Sequence, residues 1–183
     1  MNTTNGKIAV QSKQKMAQAL LRLMEQYDYK EITVTQIAQE ARLSRKTFYR
    51  LFSDKDDVLA VFFDGLFHEY FSQIQALNVP HYWEVMQLFF DFWETRKELL
   101  FLLQKNHLLS RVFEQSYQYS MQIFTFVRSQ EIVDSFSLSL PYILAYSVGG
   151  LHSMLLKWVE RGMDIPSADL IAQLKAGFKS DDL

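Results

Sequence analysis

Hydrogen-bond donors and cations are concentrated in one short stretch of this 183-residue chain, between residues 33 and 55. Residues 45–52 are predicted to form a helix whose buried side consists of Phe48, Leu51 and Phe52. The opposite side of that helix presents Arg45, Lys46, Thr47, Tyr49 and Arg50. Guanidinium and ammonium groups pair with guanine O6 and N7 and with phosphate oxygens. The pattern therefore predicts a helix that reads the major groove of DNA.

The elements that must position this helix carry their own terminal signals. A shorter helix is predicted over residues 33–41, and residues 42–44 form the turn. Thr33 and Gln36 fit a capping box, in which each side chain binds a backbone amide of the other residue. Ser44 is a good N-cap for the second helix. The pair predicts a helix-turn-helix, with an ordinary helix pair bearing a solvated charged face as the alternative.

Residues from about Ile8 to Phe63 resemble the N-terminal DNA-binding domain of the TetR family of bacterial regulators. The matching stretches are Ala19-Leu20-Leu21, Ile32-Thr33-Val34, Ile37-Ala38, Leu43-Ser44, and Thr47 to Phe52 followed by Lys55. The pattern T-F-Y-x-x-F-x-x-K is more specific than a bare helix-turn-helix. Arg42 and Lys46 stand where the family often has glycine. Arg42 would strain the turn if that position needs a positive φ.

Roles for individual side chains follow as hypotheses. Arg45 and Lys46 begin the recognition helix and are expected to reach base edges, while Thr47 would meet a thymine methyl group or a phosphate. The resemblance implies that Tyr49 lies against the DNA backbone and that Lys55 clamps a phosphate. The predicted DNA-binding residues are Thr33, Thr35, Ser44, Arg45, Lys46, Thr47, Tyr49, Arg50 and Lys55.

The distribution of charge supports the same division of the chain. Residues 1–55 hold ten Lys or Arg against five Asp or Glu, whereas residues 56–183 hold nine against sixteen. The whole-chain charge of −2 hides this asymmetry. A basic head on an acidic body is expected if one end approaches nucleic acid. We therefore predict a DNA-binding domain over residues 8–55 and an effector-binding and dimerisation domain over residues 56–183.

The body is predicted to be all-helical, which makes the fold class all-α with about nine helices. Apolar residues recur at helical spacing and no β-type alternation is seen. The predicted helices are 56–77, 82–103 with a break near residues 95–97, 107–126, 138–161 and 166–178. Gly162 is expected just beyond the end of the fourth, and Pro166 in the first turn of the last.

The uncharged stretch from Ser135 to Leu156 invites a transmembrane interpretation. Five serines, Pro141 and His152 dilute its apolar character, so we favour a helix of a soluble body that has no membrane partner. Small residues recur within it every four positions, which lets another helix approach closely, although such a stripe also drives pairing in lipid. In the TetR family the last two long helices form a four-helix bundle between subunits. By that resemblance the predicted homodimer interface comprises Ala145, Gly149, Ser153, Leu156, Leu170 and Leu174.

Aromatic residues are abundant in the body: 22 of the 27 in the chain follow residue 55. An aromatic stripe at helical spacing is core by default. Helices of this composition could also enclose a small hydrophobic or aromatic effector, and the resemblance implies a pocket among them. The candidate pocket residues are Trp83, Phe89, Trp93, Tyr117, Phe124 and Tyr142.

The sequence contains little that indicates catalysis, a cofactor or a metal site. The chain lacks G-x-S-x-G, H-E-x-x-H and a phosphate-binding glycine loop. Asp91, Glu94 and Glu98 share a helical face but have no Glu-x-x-His partner, so a solvated acidic face is expected. The histidines are far apart in sequence and are expected to be superficial or hydrogen-bonded: His68, His81, His107 and His152.

The chain has no cysteines, and its first fifteen residues lack the apolar core of a secretory signal, so a bacterial cytoplasm is the expected location. We predict a homodimeric transcription regulator, best described as a repressor that a small molecule releases from a palindromic operator. An activator or co-regulator is an open alternative, because docking geometry does not reveal the sign of regulation. A helical ligand-binding or adaptor protein without specific DNA binding is the other alternative.

Overall fold

The computed structural model describes residues 3–77, 81–128 and 139–177, and the fold predicted as all-α is confirmed over these ranges. Their nine helices are α1 (Thr3–Gln26), α2 (Val34–Glu40), α3 (Arg45–Leu51), α4 (Lys55–Gln75), α5 (Tyr82–Glu94), α6 (Lys97–Lys105), α7 (Leu109–Val127), α8 (Leu140–Glu160) and α9 (Ser167–Gly177). A short 3₁₀ helix, Tyr29–Glu31, lies between α1 and α2. None of the helices in these ranges combines the length and apolar character needed to cross a bilayer.

Most predicted helix ends agree with the structure. The predicted break near residues 95–97 separates α5 from α6, and Gly162 adopts a φ of +74° just after α8, as expected. Pro166 differs from the prediction: it precedes α9, where its carbonyl accepts a hydrogen bond from the amide of Leu170, and the helix begins at Ser167. The predicted helix ends at Leu138 and Phe178 lie outside the described residues.

The chain divides into two compact units, residues 1–66 and 67–183, with the boundary inside α4. The sequence-based boundary at residue 55 coincides with the start of α4.

The first unit has a core built where α1, α2 and α3 pack together. Met16 and Leu20 of α1, Ile37 of α2 and Phe48 of α3 are almost completely buried. Leu51 is only half-buried, so α3 rests on Phe48 and Phe52 rather than on all three predicted apolar residues. Burial of large apolar side chains on one side of α3 leaves its polar side facing solvent.

The second unit is held together by aromatic rings. Phe67 and Tyr70 of α4 meet Phe89, Phe92 and Trp93 of α5 with centroids 5.3–6.2 Å apart, mostly edge to face. Such arrangements match the negative face of one ring to the positive edge of another. These rings therefore form core, which was the default expectation for them.

Two carboxylates of α5 bind the start of α9. The hydroxyl of Ser167, which is buried, lies 2.6 Å from Oδ1 of Asp91 and 2.7 Å from Oε2 of Glu94. The Ser167 amide also donates to Oε1 of Glu94. Both acids are half-buried, which corrects the predicted solvated acidic face, since they satisfy an otherwise unpaired helix terminus.

Candidate nucleic-acid interface

The start of α2 is capped as predicted. The Thr33 hydroxyl accepts a hydrogen bond from the amide of Gln36 at 3.3 Å, and the Thr33 amide donates to Oε1 of Gln36 at 2.8 Å. This capping box satisfies two backbone donors reciprocally. It places Thr33 and Thr35 on exposed surface at the first turn of α2.

The start of α3 is capped by Ser44. Its hydroxyl accepts from the amide of Thr47 at 3.0 Å and lies 2.9 Å from the Thr47 hydroxyl. The two hydroxyls therefore serve the helix terminus, and Thr47 is half-buried. Ser44 and Thr47 stand within the predicted interface, but a large part of their hydrogen-bonding capacity is used locally.

A tight backbone turn joins α2 to α3. The amide of Arg42 donates to the carbonyl of Gln39, and the amide of Leu43 donates to the carbonyl of Ala38, both at 2.9 Å. These two bonds define a Schellman motif, which requires a left-handed residue after the helix. Arg42 occupies that position with a φ of +54°, so the positive φ considered from the sequence is confirmed.

The polar side of α3 is available to a partner. Arg45, Lys46 and Arg50 are exposed, and 55% of Tyr49 is accessible. The Arg45 guanidinium lies 5.9 Å from the centre of the Tyr49 ring, a cation–π contact between neighbouring turns. The structure thus brings cations and a phenol together on one face of a rigidly capped helix.

Lys55 has a different environment from the other cations of the interface. Its ammonium group donates to the carbonyls of Tyr29, Lys30 and Ile32 at 2.7, 2.8 and 3.0 Å, and lies 4.8 Å from the Tyr29 ring centre. An ammonium group has three donors, so these carbonyls account for all of them. The lysine predicted to clamp a phosphate therefore binds the connection between α1 and α2, a contact over more than twenty residues that local sequence patterns do not predict.

A cavity of about 280 Å³ lies in the second unit among α4, α5, α7 and α8. Its wall is mainly apolar, and three of its hydroxyls donate to helix carbonyls: Tyr70 to Val85, Ser116 to Val112 and Ser120 to Tyr117. Burial raises the pKa of Tyr70, so that phenol stays protonated. A ligand here would meet mostly hydrocarbon and aromatic surface.

The six predicted effector residues are distributed over several environments. Phe89 and Phe124 line the cavity. Trp93 is core, and Trp83 lines a neighbouring groove instead. Tyr117 and Tyr142 are 42% and 78% exposed, and neither lines the cavity. Helical spacing alone did not distinguish rings that face a cavity from rings that face the core or solvent.

The small-residue stripe of α8 lies at the surface. Ala145 and Ser153 are exposed and Gly149 is half-buried, while Leu156, Leu170 and Leu174 are half-buried. Tyr146, which was not among the predicted interface residues, is 77% exposed and lies close to the stripe around the helix, as does Tyr142. The sequence offered one signal for a wider face, namely that both tyrosines lie in the same uncharged stretch as the small residues.

His152 departs from the expectation for the histidines. Its ring lies 5.0 Å from that of Phe113, and its Nδ1 is buried with no hydrogen-bond partner in the described part of the chain. Burial lowers the pKa of His152, so the imidazole is neutral near pH 7. The prediction that this histidine is either superficial or hydrogen-bonded is therefore wrong for its Nδ1 atom.

Comparisons with known proteins agree with this geometry. Residues 17–61 match the model of bacterial regulatory proteins of the TetR family. The chain is similar to the HTH-type dhaKLM operon transcriptional activator DhaS of Lactococcus lactis subsp. lactis (strain IL1403), with 29% identity over 119 residues. That alignment covers 59% of this chain and 64% of the relative, so the chain matches just under two thirds of its length.

Two solved structures share the fold. The fatty acid degradation regulator FadR from Bacillus halodurans has a TM-score of 0.56 at 16% identity, covering 88% of this chain and 91% of its own. The dihydroxyacetone kinase operon activator DhaS has a TM-score of 0.55 at 19% identity, covering 90% and 92%. At these identities the likeness concerns the fold alone.

Lys55 and Lys46 are expected to differ in their effect on stability. Lys55→Met leaves three carbonyls without their donor and should lower the free energy of unfolding by about 1–3 kcal/mol. Lys46→Met removes an exposed cation and should change it by less than about 0.5 kcal/mol. Urea unfolding followed by circular dichroism measures both. Equal midpoints for the two variants would contradict a structural role for Lys55.

Proposed function

We propose that this chain, which belongs to the TetR family of bacterial regulatory proteins, acts as a homodimeric transcription regulator whose α3 reads an operator in the major groove. The observation that carries the proposal is the exposed cationic face of α3 on a helix capped at its start and buried on its other side. A helix of this kind presents its donors to base edges without the cost of ordering its backbone on binding. Its site of action would be chromosomal DNA in the bacterial cytoplasm.

Within this interface the side chains divide into two roles. Arg45 and Lys46, at the first turn of α3, are proposed to bind base edges. Tyr49, Arg50 and the threonines at the start of α2 are proposed to bind phosphates, which set the register of the helix without reading sequence. Lys55 contributes positive charge and holds the connection before α2, since its three donors already have acceptors.

Arg45→Ala is expected to weaken binding to a specific site by about 1–3 kcal/mol more than it weakens binding to random duplex, because a base contact is lost in addition to one positive charge. Selection of bound DNA from a random pool supplies the site, and fluorescence anisotropy at two salt concentrations measures the affinities. If the wild-type protein showed no preference for any sequence even at low salt, an adaptor or ligand-binding function would be favoured over a regulator.

Dimerisation is proposed to use the exposed face of α8 together with α9. The face combines Ala145, Gly149 and Ser153 with the two largely exposed phenols, Tyr142 and Tyr146. Close approach of a second α8 would cover these rings and bury apolar surface. A two-fold axis through this face would present two copies of α3 to the halves of a palindromic operator.

Gly149→Leu tests that face without disturbing the subunit. A Cβ at Gly149 would meet no atom of the described residues within 4 Å, so a larger side chain starts in open space and a monomer is expected to accept it. A partner helix lying on the stripe would be displaced, and the dimer dissociation constant should rise at least about tenfold, equivalent to roughly 1.4 kcal/mol. Sedimentation velocity over a concentration series measures it.

Gly65→Leu is the matched control, because Gly65 is also helical and an added Cβ there would likewise meet no described atom within 4 Å. It should leave the dimer intact. Unchanged dimerisation in both variants would place the subunit contact elsewhere.

The cavity of the second unit is proposed to bind a small hydrophobic or aromatic effector. Three of its hydroxyls already donate to helix carbonyls and Arg128 is charged, but most of the lining is apolar, which favours a largely apolar ligand. The effector would release a repressor if it favoured a dimer in which the two copies of α3 no longer match the half-site spacing. That mechanism requires the effector to bind the two states with different affinity.

Ser147→Phe should fill part of the cavity, because Ser147 is one of its lining residues. Binding of the uncharged apolar fluorophore N-phenyl-1-naphthylamine is expected to weaken about tenfold or more, as a titration of its emission would measure. Ser72→Phe, on an exposed position of α4 outside the cavity, is the control. Equal dye affinity in all three proteins would show that this cavity is not an apolar binding site.

Activation is a second candidate for the sign of regulation, favoured by the description of the similar Lactococcus protein as a transcriptional activator. The two signs differ in the effect of deleting the gene. Loss of a repressor raises transcription of the genes beside the bound site, whereas loss of an activator lowers it. Measuring those transcripts with and without the gene decides between them.

A further inference from the structure

The left-handed residue between α2 and α3 is an arginine although glycine is the residue best suited to that backbone. The φ of Arg42 is +54°, a conformation that costs an L-residue free energy and costs glycine almost none. The same Schellman position is occupied by Gly162 after α8 and by His107, with a φ of +58°, after α6. Strain held at a specific residue suggests that its side chain has a use.

The side chain of Arg42 belongs to a cationic groove of the first unit. The groove is open, has a volume of about 430 Å³, and is lined by Lys15, Gln18 and Arg22 of α1 and by Glu40, Ala41 and Arg42 at the end of α2. Lys15, Gln18 and Arg22 follow helical spacing and so share one face of α1. The lining is polar apart from Ala41, which favours a polar ligand over an apolar one.

The charges of the groove are only partly compensated. Arg22 forms an ion pair with Glu40, with Nε 2.6 Å from Oε1. Neither Lys15 nor Arg42 has an ion-pair partner among residues 3–77, 81–128 and 139–177. Two cations therefore face the groove without a counter-charge, which favours an anionic ligand.

The position of Arg42 identifies the anion. Arg42 precedes Arg45 by three residues, so their Cα atoms are at most about 10 Å apart. A helix in the major groove is flanked by phosphate backbones across a groove about 12 Å wide. When Arg45 contacts a base edge, the Arg42 guanidinium is within reach of one of those backbones.

We infer that Arg42, together with Lys15, binds a phosphate of the DNA backbone beside the recognition helix. The inference rests on the proposed DNA-binding function and adds a contact that none of the predicted interface residues supplies. The contact is non-specific in sequence, because it involves phosphate only. Arg42 therefore has two opposing effects. It strains the turn, which lowers the stability of the fold, and its charge strengthens binding to every duplex.

Arg42→Gly separates these two effects. The glycine relieves the strain and should raise the melting temperature by about 2–4 °C. The same substitution should weaken binding to the selected site and to random duplex by the same factor. It should also reduce the slope of log affinity against log salt concentration by about 0.9, the value for one phosphate contact. Lys15→Gln should reproduce the loss of affinity without raising the melting temperature.

Two controls accompany these variants. Arg42→Lys keeps both the charge and the strain, and should bind and melt almost like the wild type. Lys97→Gln removes one positive charge from the second unit and should leave the salt slope unchanged. Differential scanning calorimetry and fluorescence anisotropy at several KCl concentrations supply both measurements.

The outcomes distinguish this inference from the function on which it rests. If the wild-type protein prefers its selected site but Arg42→Gly binds with unchanged affinity and slope, the phosphate contact is refuted and the regulator stands. A loss confined to the selected site also refutes it, because that result indicates base reading or helix positioning. If the wild-type protein binds no DNA preferentially, the proposed function itself fails.

Discussion

The position of α3 depends on how the chain satisfies its backbone amides and carbonyls between the end of α2 and the start of α3. The Schellman bonds from Arg42 and Leu43 close the carbonyl end of α2, and the Ser44 hydroxyl closes the amide end of α3. Unpaired backbone groups at helix ends are costly when they lose water. Because the connection is short and its polar groups have partners, α3 has little freedom to rotate, and its donors keep one direction.

The same constraint sorts the polar side chains of the interface into two classes. Ser44, Thr47 and Lys55 use their hydrogen-bonding groups on the fold itself. Arg45, Lys46 and Arg50 remain exposed. The sequence motif therefore contains residues that stabilise α3 and residues that are available to bind DNA. Substitutions in the first class should alter the free energy of unfolding, and substitutions in the second should alter the affinity for DNA.

The aromatic side chains of the second unit serve more than one role. Edge-to-face packing uses Phe67, Tyr70 and Trp93 as core, and a smaller set of side chains surrounds a cavity whose hydroxyls are largely occupied by helix carbonyls. The exposed phenols of Tyr142 and Tyr146 lie near the small-residue stripe of α8. Aromatic side chains thus occur in the core, the cavity wall and the surface of this unit, and the direction of each side chain around its helix decides which.

The sequence alone was sufficient to predict the ends of several helices, because those ends depend on local interactions. The capping box at Thr33, the cap at Ser44, the break after Glu94 and the turn at Gly162 each depend on residues a few positions apart, so they could be predicted. Tertiary structure alone decided which aromatic rings line the cavity, that the ammonium group of Lys55 binds three carbonyls more than twenty residues away, and that Asp91 and Glu94 hold the start of α9. Those contacts join distant parts of the chain, and helical periodicity specifies a direction around one helix axis without specifying the neighbour that it meets.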